Sequence, residues 1–321
     1  MMGTPKKKMK LVVANEDSAF AARLAAGRER FSRIVTELQQ RAVRICASNN
    51  PRRATAMDLP CALDAPGSYQ WVAYEFGSHN FDWLRAMYKL SGRRCGVVGI
   101  DADPNMPAHL SMTFEEFYLY HRSHFLKCKP DACMFAGNCC SFSKQSETHH
   151  GRSVEPVNGD PDTHECAEKI EFGNQTLKYV ELIMLAAWEV NPLCIMNFET
   201  PAGYCSKQPI YNDVFLRIFG LRETRLCKCK CFGTKYRKEI NIVNNMQCWD
   251  INSLSSSQRM CTASHLCNAA RANGGRHPKV VAGAASQASA RFGVVMAESL
   301  ARACLLEMQT LNTPDTSIRL R

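Results

Sequence analysis

The sequence has no long hydrophobic run. None of its apolar stretches approaches the roughly 20 residues that a helix needs to cross a bilayer. The basic start MMGTPKKKMK is not followed by the apolar segment of a secretory leader. We therefore expect an intracellular protein, in the nucleus or the cytoplasm, without a membrane partner. Because such compartments are reducing, the 17 cysteines do not predict a disulfide framework.

Acidic residues are in the minority. Forty Lys and Arg stand against thirty Asp and Glu, which gives a formal net charge of +10. This excess favours a polyanionic partner, because neutralising phosphates releases counterions. Composition alone does not identify a nucleic-acid-binding protein. The lysines of the first ten residues fit either a nuclear-localisation patch or a solvated tail.

Internal repeats are also absent, and strand-like stretches alternate with helix-like ones instead. Strands are predicted at 69–76, 95–101, 131–137 and 193–199, and helices at 81–90, 114–125 and 177–190. This alternation indicates an α/β protein with a parallel sheet that carries helices on both faces. In such sheets ligands bind beyond the carboxyl ends of the strands.

The pattern changes on either side of this alternating region. Two more strands are predicted at 224–232 and 239–245, followed by a polar, glycine-containing region and a helix over 288–309. We divide the chain into an N-terminal basic tail with a helical extension, a cofactor-binding and catalytic domain, a small recognition region, and a C-terminal helix that returns to the catalytic domain. Their respective bounds are 1–67, 68–222, 223–287 and 288–321.

The first two strand ends carry candidate cofactor contacts. Phe76, Gly77 and Ser78 form a turn of small residues where a helix begins, a place where backbone groups approach a nucleotide-like cofactor. Asp101 ends the second strand, where a carboxylate can accept both ribose hydroxyls of an adenosine. A turn or helix-capping aspartate explains Asp101 equally well.

The next two strand ends carry candidate catalytic groups. Cys139 follows the third strand and is positioned as a nucleophile, although a small buried hydrophobic residue is the alternative. Glu199 ends the fourth predicted strand and is expected across the crevice from Cys139. There it is either a donor or acceptor for a substrate ring or an ordinary loop glutamate.

Two of these stretches resemble motifs of the C5-cytosine DNA methyltransferases. PDACMFAGNCCSFSK (130–144) is similar to Pro-Pro-Cys-x-x-Phe-Ser, which places Cys139 on the nucleophile and Gly137-Asn138 on the two prolines. MNFETPAGYCSK (196–207) is similar to the Glu-Asn-Val or Glu-Asn-Pro motif, which places Glu199 on the catalytic acid and Thr200 on the asparagine.

The remaining matches follow in the family's order over residues 68–305. GTKYRKEINIVNN (233–245) resembles the arginine-bearing motif as phage and viral members write it, with Arg237 on the arginine. Residues 275–303 resemble the segment that completes the cofactor pocket. The family's cofactor loop, Phe-x-Gly-x-Gly, is matched only by its phenylalanine, because the turn after Phe76 lacks both glycines in that register.

The resemblance implies a Rossmann-like S-adenosylmethionine-dependent methyltransferase fold with a small C-terminal target-recognition region. It implies catalysis by Cys139, Glu199 and Arg237 on a cytosine flipped out of DNA, and we expect a monomer. It implies a cofactor site built from Phe76, Gly77, Ser78, Asp101 and Asn138. The alternatives are the same chemistry on RNA, or a catalytically inactive relative that binds nucleic acid.

Cysteine and histidine also cluster near the C-terminal end. The proposed reaction needs no metal, but Cys261, His265, Cys267 and His277 lie in a polar region and are candidates for a structural zinc site. An ordinary polar loop is the alternative. The alternating cysteines Cys227, Cys229 and Cys231 could also ligate a metal. Alternate residues of one strand lie about 6–7 Å apart, however, too far to close a tetrahedral site by themselves, so we interpret them as one face of a strand with lysines on the other.

Overall fold

The computed structural model describes residues 57–78, 80–136, 142, 167–277 and 293–311, with isolated helical positions at 22, 25, 26 and 29. The predicted basic tail, most of the predicted N-terminal helices, and Asn138 and Cys139 lie outside the described residues. None of the helices in the described ranges is both long enough and apolar enough to span a membrane.

Seven strands form one sheet in the part of the chain that the structure describes. They are β1 (Trp71–Phe76), β2 (Cys95–Asp101), β3 (Leu110–Ser111), β4 (Ala132–Ala136), β5 (Ile195–Pro201), β6 (Arg222–Cys227) and β7 (Glu239–Asn244). Their order across the sheet is β3-β2-β1-β4-β5-β7-β6. The pairs from β3 to β5 are parallel, whereas β7 is antiparallel to both of its neighbours. The predicted α/β class is thus confirmed, whereas the predicted parallel sheet is parallel only from β3 to β5.

The helices of the described part are α1 (Asp82–Leu90), α2 (Phe114–Glu116, Phe117–His121 and Arg122–Cys128), α3 (Ala167–Val190), α4 (Lys228–Phe232), α5 (Ser256–Arg259), α6 (Asn268–Ala272) and α7 (Val294–Leu311). The middle segment of α2 is π-helical, as is the separate segment Tyr211–Ile218. Two short 3-10 turns lie at Cys205–Lys207 and Asp250–Ser253.

Helices cover both faces of the sheet, as predicted. Alternate residues of a strand point to opposite faces, and the buried side chains accordingly fall into two clusters. On one face Trp71 and Ala73 pack with α1 and α7. On the other, Tyr74 and Phe76 pack with α2, α3 and the π-helical segment at 211–218. The C-terminal helix α7 therefore packs against one face of the sheet.

Two sequence predictions need correction. The strand predicted at 224–232 ends at Cys227, and the chain turns there into α4. The alternation of cysteine and lysine imitates a strand, but Lys228 is buried rather than on a solvent-facing side. The helix predicted at 177–190 begins ten residues earlier, at Ala167, because its first turns are too polar to show a clear apolar period.

Residues 57–67, which the sequence assigns to the N-terminal extension, lie against the sheet. The backbone N–H of Ala62 donates to the carbonyl oxygen of Val97 at 3.0 Å. Met57 is buried in the cluster that includes Trp83 and Phe81. The end of the extension is therefore part of the core, while the division into four segments stays a prediction.

Candidate active site

The carboxyl ends of the parallel strands meet at one edge of the sheet. The strand order reverses between β1 and β4, and open α/β sheets bind ligands beside such a reversal. Three buried acids lie at this edge, Glu75 in β1, Asp101 in β2 and Glu199 in β5. By strand alternation all three point to the face that α1 and α7 cover.

Gly77 fixes the turn that leaves β1. Its φ of +71° is a left-handed conformation that favours glycine, and its backbone N–H donates to the carbonyl oxygen of Ile100 at 2.8 Å. A Cβ at this position would lie 2.8 Å from the carbonyl oxygen of Ala136. The turn therefore passes between the ends of β2 and β4, at the point where the strand order reverses.

Glu75 and Ser78 stabilise the start of the helix after this turn, because each accepts a backbone hydrogen bond. The Oε2 of Glu75 accepts the backbone N–H of Leu84 at 3.0 Å, and the Oγ of Ser78 accepts that of Phe81 at 3.2 Å. Burial raises the pKa of the Glu75 carboxyl from 4.5 to about 7, although the bonds from Ser78 and Leu84 act in the opposite direction. Its Oε1 has no hydrogen-bond partner among the described residues.

Phe76, a predicted cofactor contact, places its ring in the core. Its ring stacks on that of Phe135, with centroids 4.8 Å apart and planes 7° from parallel. The rings of Phe114 and Phe117 pack edge-on against it. The side chain of Phe76 is thus part of the core on the α2 and α3 face.

Asp101 is buried at the end of β2. Its Oδ1 accepts the backbone N–H of Asp103 at 2.9 Å, and its backbone carbonyl accepts that of Met112 at 2.9 Å. This contact makes Asp101 a turn aspartate, which is one of the two roles that the sequence allows. The role in cofactor binding uses the same carboxylate and stays a prediction.

The segment that contains Cys139 is bracketed by two described residues. Ala136, the last residue of β4, pairs with Glu199 of β5. On the other side, Phe142 is buried in the core, and its carbonyl oxygen accepts the backbone N–H of Tyr204 at 2.9 Å. Both anchors therefore lie beside β5 or the loop that follows it.

Glu199 lies opposite a buried lysine. Its Oε1 is 3.9 Å from the Nζ of Lys228, with side-chain exposures of 7% and 2% respectively. This oxygen has no hydrogen-bond partner among the described residues. Lys228 is the first residue of α4, and its backbone N–H donates to the carbonyl oxygen of Lys238 at 2.9 Å. The site therefore joins a carboxylate and an ammonium in a position shielded from water.

The sequence resemblance places Arg237 at the cytosine, whereas in the structure Arg237 pairs with Glu239. Its Nη2 lies 2.5 Å from the Oε1 of Glu239, and its side chain is 50% exposed. Arg225 holds the other oxygen of Glu239 at 2.7 Å. Burial opposes ionisation of Glu239, but the two guanidinium groups outweigh it and lower the pKa of that carboxyl. The cation recorded at Glu199 is thus Lys228, and the catalytic role of Arg237 stays a prediction.

Three of the four zinc candidates converge. Cys261, Cys267 and His277 lie together, and Cys229 joins them. His265 is exposed instead, and its Nδ1 lies 2.9 Å from the Oγ of Ser264.

Sequence reasoning missed Glu75 and Lys228, and it assigned Cys229 to the face of a strand rather than to the metal site. Glu75 could have been found as the one acid in the apolar strand WVAYEF. Lys228 and Cys229 could not, because their placement depends on the turn from β6 into α4.

Comparisons with known proteins give little further information. No known protein family matches the sequence, and no curated protein is similar to it. Among solved structures, a chain described as an antibiotic-related methyltransferase has a TM-score of 0.32 and 12% sequence identity. The likeness covers 61% of this chain and 99% of that one. A similarity of this degree establishes neither a common fold nor a common activity.

Proposed function

We propose that the chain transfers a methyl group from S-adenosylmethionine to C5 of cytosine in DNA. The observation that supports this most directly is the buried carboxylate of Glu199, paired with Lys228 at the carboxyl end of β5. A carboxyl group in that position can hold N3 of a pyrimidine ring, which needs a hydrogen-bond donor or acceptor shielded from water.

The strand order supports the same proposal. The part from β3 to β5 follows the 3-2-1-4-5 order of Rossmann-like sheets. The reversed strand β7, inserted between β5 and β6, is consistent with the Rossmann-like methyltransferase fold that the sequence resemblance implies. Fold alone does not determine activity, so the proposal depends on the groups at the strand ends.

The groups at the ends of β1 and β2 fit S-adenosylmethionine. Gly77 lets the first turn pass close to the carbonyl of Ala136, which a side chain there would meet, and so allows the turn to lie at the reversal of strand order where a cofactor is expected. Asp101 supplies a buried carboxylate at the end of β2, suited to ribose hydroxyls. The Oε1 of Glu75 is a buried polar atom with no recorded hydrogen bond, near the base of the turn. The cofactor supplies an electrophilic methyl group.

The proposed nucleophile is Cys139. It follows Ala136 by three residues in the sequence, and Ala136 pairs with Glu199. In the proposed reaction a bond forms between the thiolate of Cys139 and C6 of cytosine, while Glu199 protonates N3. These two steps make C5 nucleophilic. The C5–methyl bond would form as the methyl–sulfur bond of the cofactor breaks. The C5 proton would then pass to water, N3 would return its proton to Glu199, and cleavage of the bond to Cys139 would restore the ring and the thiolate.

Lys228 is proposed as a positioning residue. An ammonium 3.9 Å from the Oε1 of Glu199 can hold that carboxyl group in place before the base binds. Arg237 remains the proposed cation for the substrate, released from Glu239 when the base enters. The net charge of +10 supports a nucleic-acid substrate, whose phosphates it would help to neutralise.

A covalent trap tests the proposal and separates its alternatives. The protein is incubated with S-adenosylmethionine and DNA or RNA that contains 5-fluorocytosine, whose C5 cannot lose a proton. A denaturation-resistant adduct with DNA that disappears in Cys139→Ser is expected. Cys140→Ser is the matched control and should keep the adduct. An adduct with RNA alone would move the activity to RNA. No adduct with either would leave an inactive nucleic-acid-binding relative and refute the proposal.

A further inference from the structure

A second group of reactive side chains lies outside the proposed active site. The Sγ atoms of Cys229, Cys261 and Cys267 and a ring nitrogen of His277 are all within 4.8 Å of one another. The three cysteines are buried, and His277 is half-buried. They come from α4, from the segment after α5, from the residue before α6, and from the end of the 167–277 range. The cluster therefore joins parts of the chain that are far apart in sequence.

The distances fit a tetrahedral metal site. The Nε2 of His277 lies 3.4 Å from the Sγ of Cys261 and 3.3 Å from that of Cys267. Zinc bonds of about 2.3 Å to sulfur and about 2.0–2.1 Å to nitrogen put the ligand atoms of a tetrahedron about 3.5–3.8 Å apart. Only a small adjustment of the side chains separates the cluster from that geometry.

Hydrogen bonds from neighbouring groups orient His277 and stabilise the charge of the cysteine ligands. The Nδ1 of His277 lies 3.0 Å from the carbonyl oxygen of Lys235, to which its N–H donates, so the lone pair of Nε2 faces the sulfurs. The backbone N–H of Cys267 donates to the Sγ of Cys261 at 3.3 Å, and that of Ala270 to the Sγ of Cys267 at 3.4 Å. Such donors stabilise thiolates.

Lys230 adds a positive charge to the same region. Its ammonium donates to the carbonyl oxygens of His265 and Leu266, at 3.2 and 3.1 Å. Three thiolates and a divalent cation carry a net charge of −1, which a nearby ammonium offsets.

A cluster of buried cysteines can also be a small apolar core. That explanation does not account for the nitrogen of His277 between two sulfurs. The apolar cluster here is also small, since its buried members are Cys227, Cys229, Cys261, Cys267 and Ala270. A region with so little apolar area needs another source of stability, which a bound metal supplies.

We propose that Cys229, Cys261, Cys267 and His277 bind a structural zinc ion. Three sulfurs and one imidazole are the ligands that select zinc, and four protein ligands leave no open position for catalysis. The ion would tie α4 to the 261–277 segment. Because Lys228 is adjacent to Cys229, the ion would also fix the position of α4, the helix that presents Lys228 to Glu199. The site stands independently of the proposed methyl transfer.

Metal analysis of the full-length protein tests this inference. The protein is purified without chelators and dialysed against metal-free buffer. Inductively coupled plasma mass spectrometry should then find about one zinc per chain. Cys229→Ser, Cys261→Ser, Cys267→Ser and His277→Ala should each lower the zinc content several-fold. Cys231→Ser and His265→Ala are matched controls and should keep it, because their side chains contact the Arg259 carbonyl and Ser264 instead.

Further measurements keep the proposal testable if some variants fail to fold. His277→Cys retains a suitable donor and should retain zinc with four sulfur ligands, as X-ray absorption would detect. Chelation of the wild-type protein should open the 259–277 region to protease while the circular dichroism of the sheet persists. The absence of zinc from the wild-type protein would overturn the proposal, and so would an equal loss of zinc in His265→Ala and His277→Ala. A disulfide bond in the metal-free protein, detected without reductant as a mass two hydrogens below that of the sequence, would also overturn it.

Discussion

Replacing Lys228 by methionine should destabilise the protein strongly, because it leaves the buried carboxylate of Glu199 without its cation. The two charges are 3.9 Å apart and almost fully shielded from water. At an effective dielectric constant of about 20, their attraction is about 4 kcal/mol. Removing one partner of a buried pair costs about 3–5 kcal/mol, since the remaining charge stays desolvated.

A double-mutant cycle separates this effect from lost packing. Lys228→Met, Glu199→Gln and the double variant are compared with the wild-type protein by urea unfolding. The double variant should lose at least about 2 kcal/mol less than the sum of the single variants, because it contains no uncompensated charge. Arg225→Met is the matched control. It breaks an exposed pair with Glu239 and should cost less than about 1 kcal/mol.

Additive free energies, within about 0.5 kcal/mol, would refute the reasoning. They would mean that the ammonium and the carboxylate do not interact in solution. Lys228 would then have no role as a positioning residue for Glu199.

Three further predictions concern the other acids and the first turn. The folded-state pKa of Glu75, about 7, exceeds its ordinary value of 4.5. Its contribution to stability is therefore present below pH 4.5 and lost as the pH rises through 7, by about 3 kcal/mol. In Glu75→Gln this part of the pH dependence of the unfolding free energy should vanish, and an unchanged slope would contradict the assignment. Gly77→Ala combines a positive φ with a Cβ 2.8 Å from a carbonyl oxygen, so it should lower the melting temperature more than Gly92→Ala, where φ is +63° and nothing lies within 4 Å. Equal effects would show that the approach to β4 is not tight. Asp101→Asn keeps an oxygen for the turn but loses the charge, so it should weaken S-adenosylmethionine binding about tenfold or more by calorimetry. Unchanged affinity would remove Asp101 from the cofactor site.

The parallel strands were the most predictable part of the fold. The run CGVVGID is apolar, short and bounded by turn residues, and β2 has the predicted bounds, 95–101. Buried parallel strands give such runs because both of their faces are covered. The ends of these apolar runs predicted the ends of the strands, so Gly77, Asp101 and Glu199 could be identified from the sequence as residues at strand ends.

The environment of Glu199 was not predictable in the same way. Cys-Lys-Cys-Lys-Cys has the period of a strand, yet the chain turns into α4 after Cys227. That turn buries Lys228 and carries Cys229 towards Cys261 and His277, which are distant in sequence. Local periodicity contains no information about such long-range contacts. For the same reason the sequence favoured His265 over Cys229 as a zinc ligand.

The central claim is that this chain methylates cytosine at C5 in DNA, and the product itself is the most direct test. The protein is incubated with S-adenosylmethionine carrying a deuterated methyl group and a pool of unmethylated duplexes of random sequence. The DNA is then hydrolysed to nucleosides for mass spectrometry. We expect deuterated 5-methyldeoxycytidine, which should be absent with Cys139→Ser and reduced at least a hundredfold with Glu199→Gln. Unlabelled cytosine throughout, or a label on another base or atom, would contradict it.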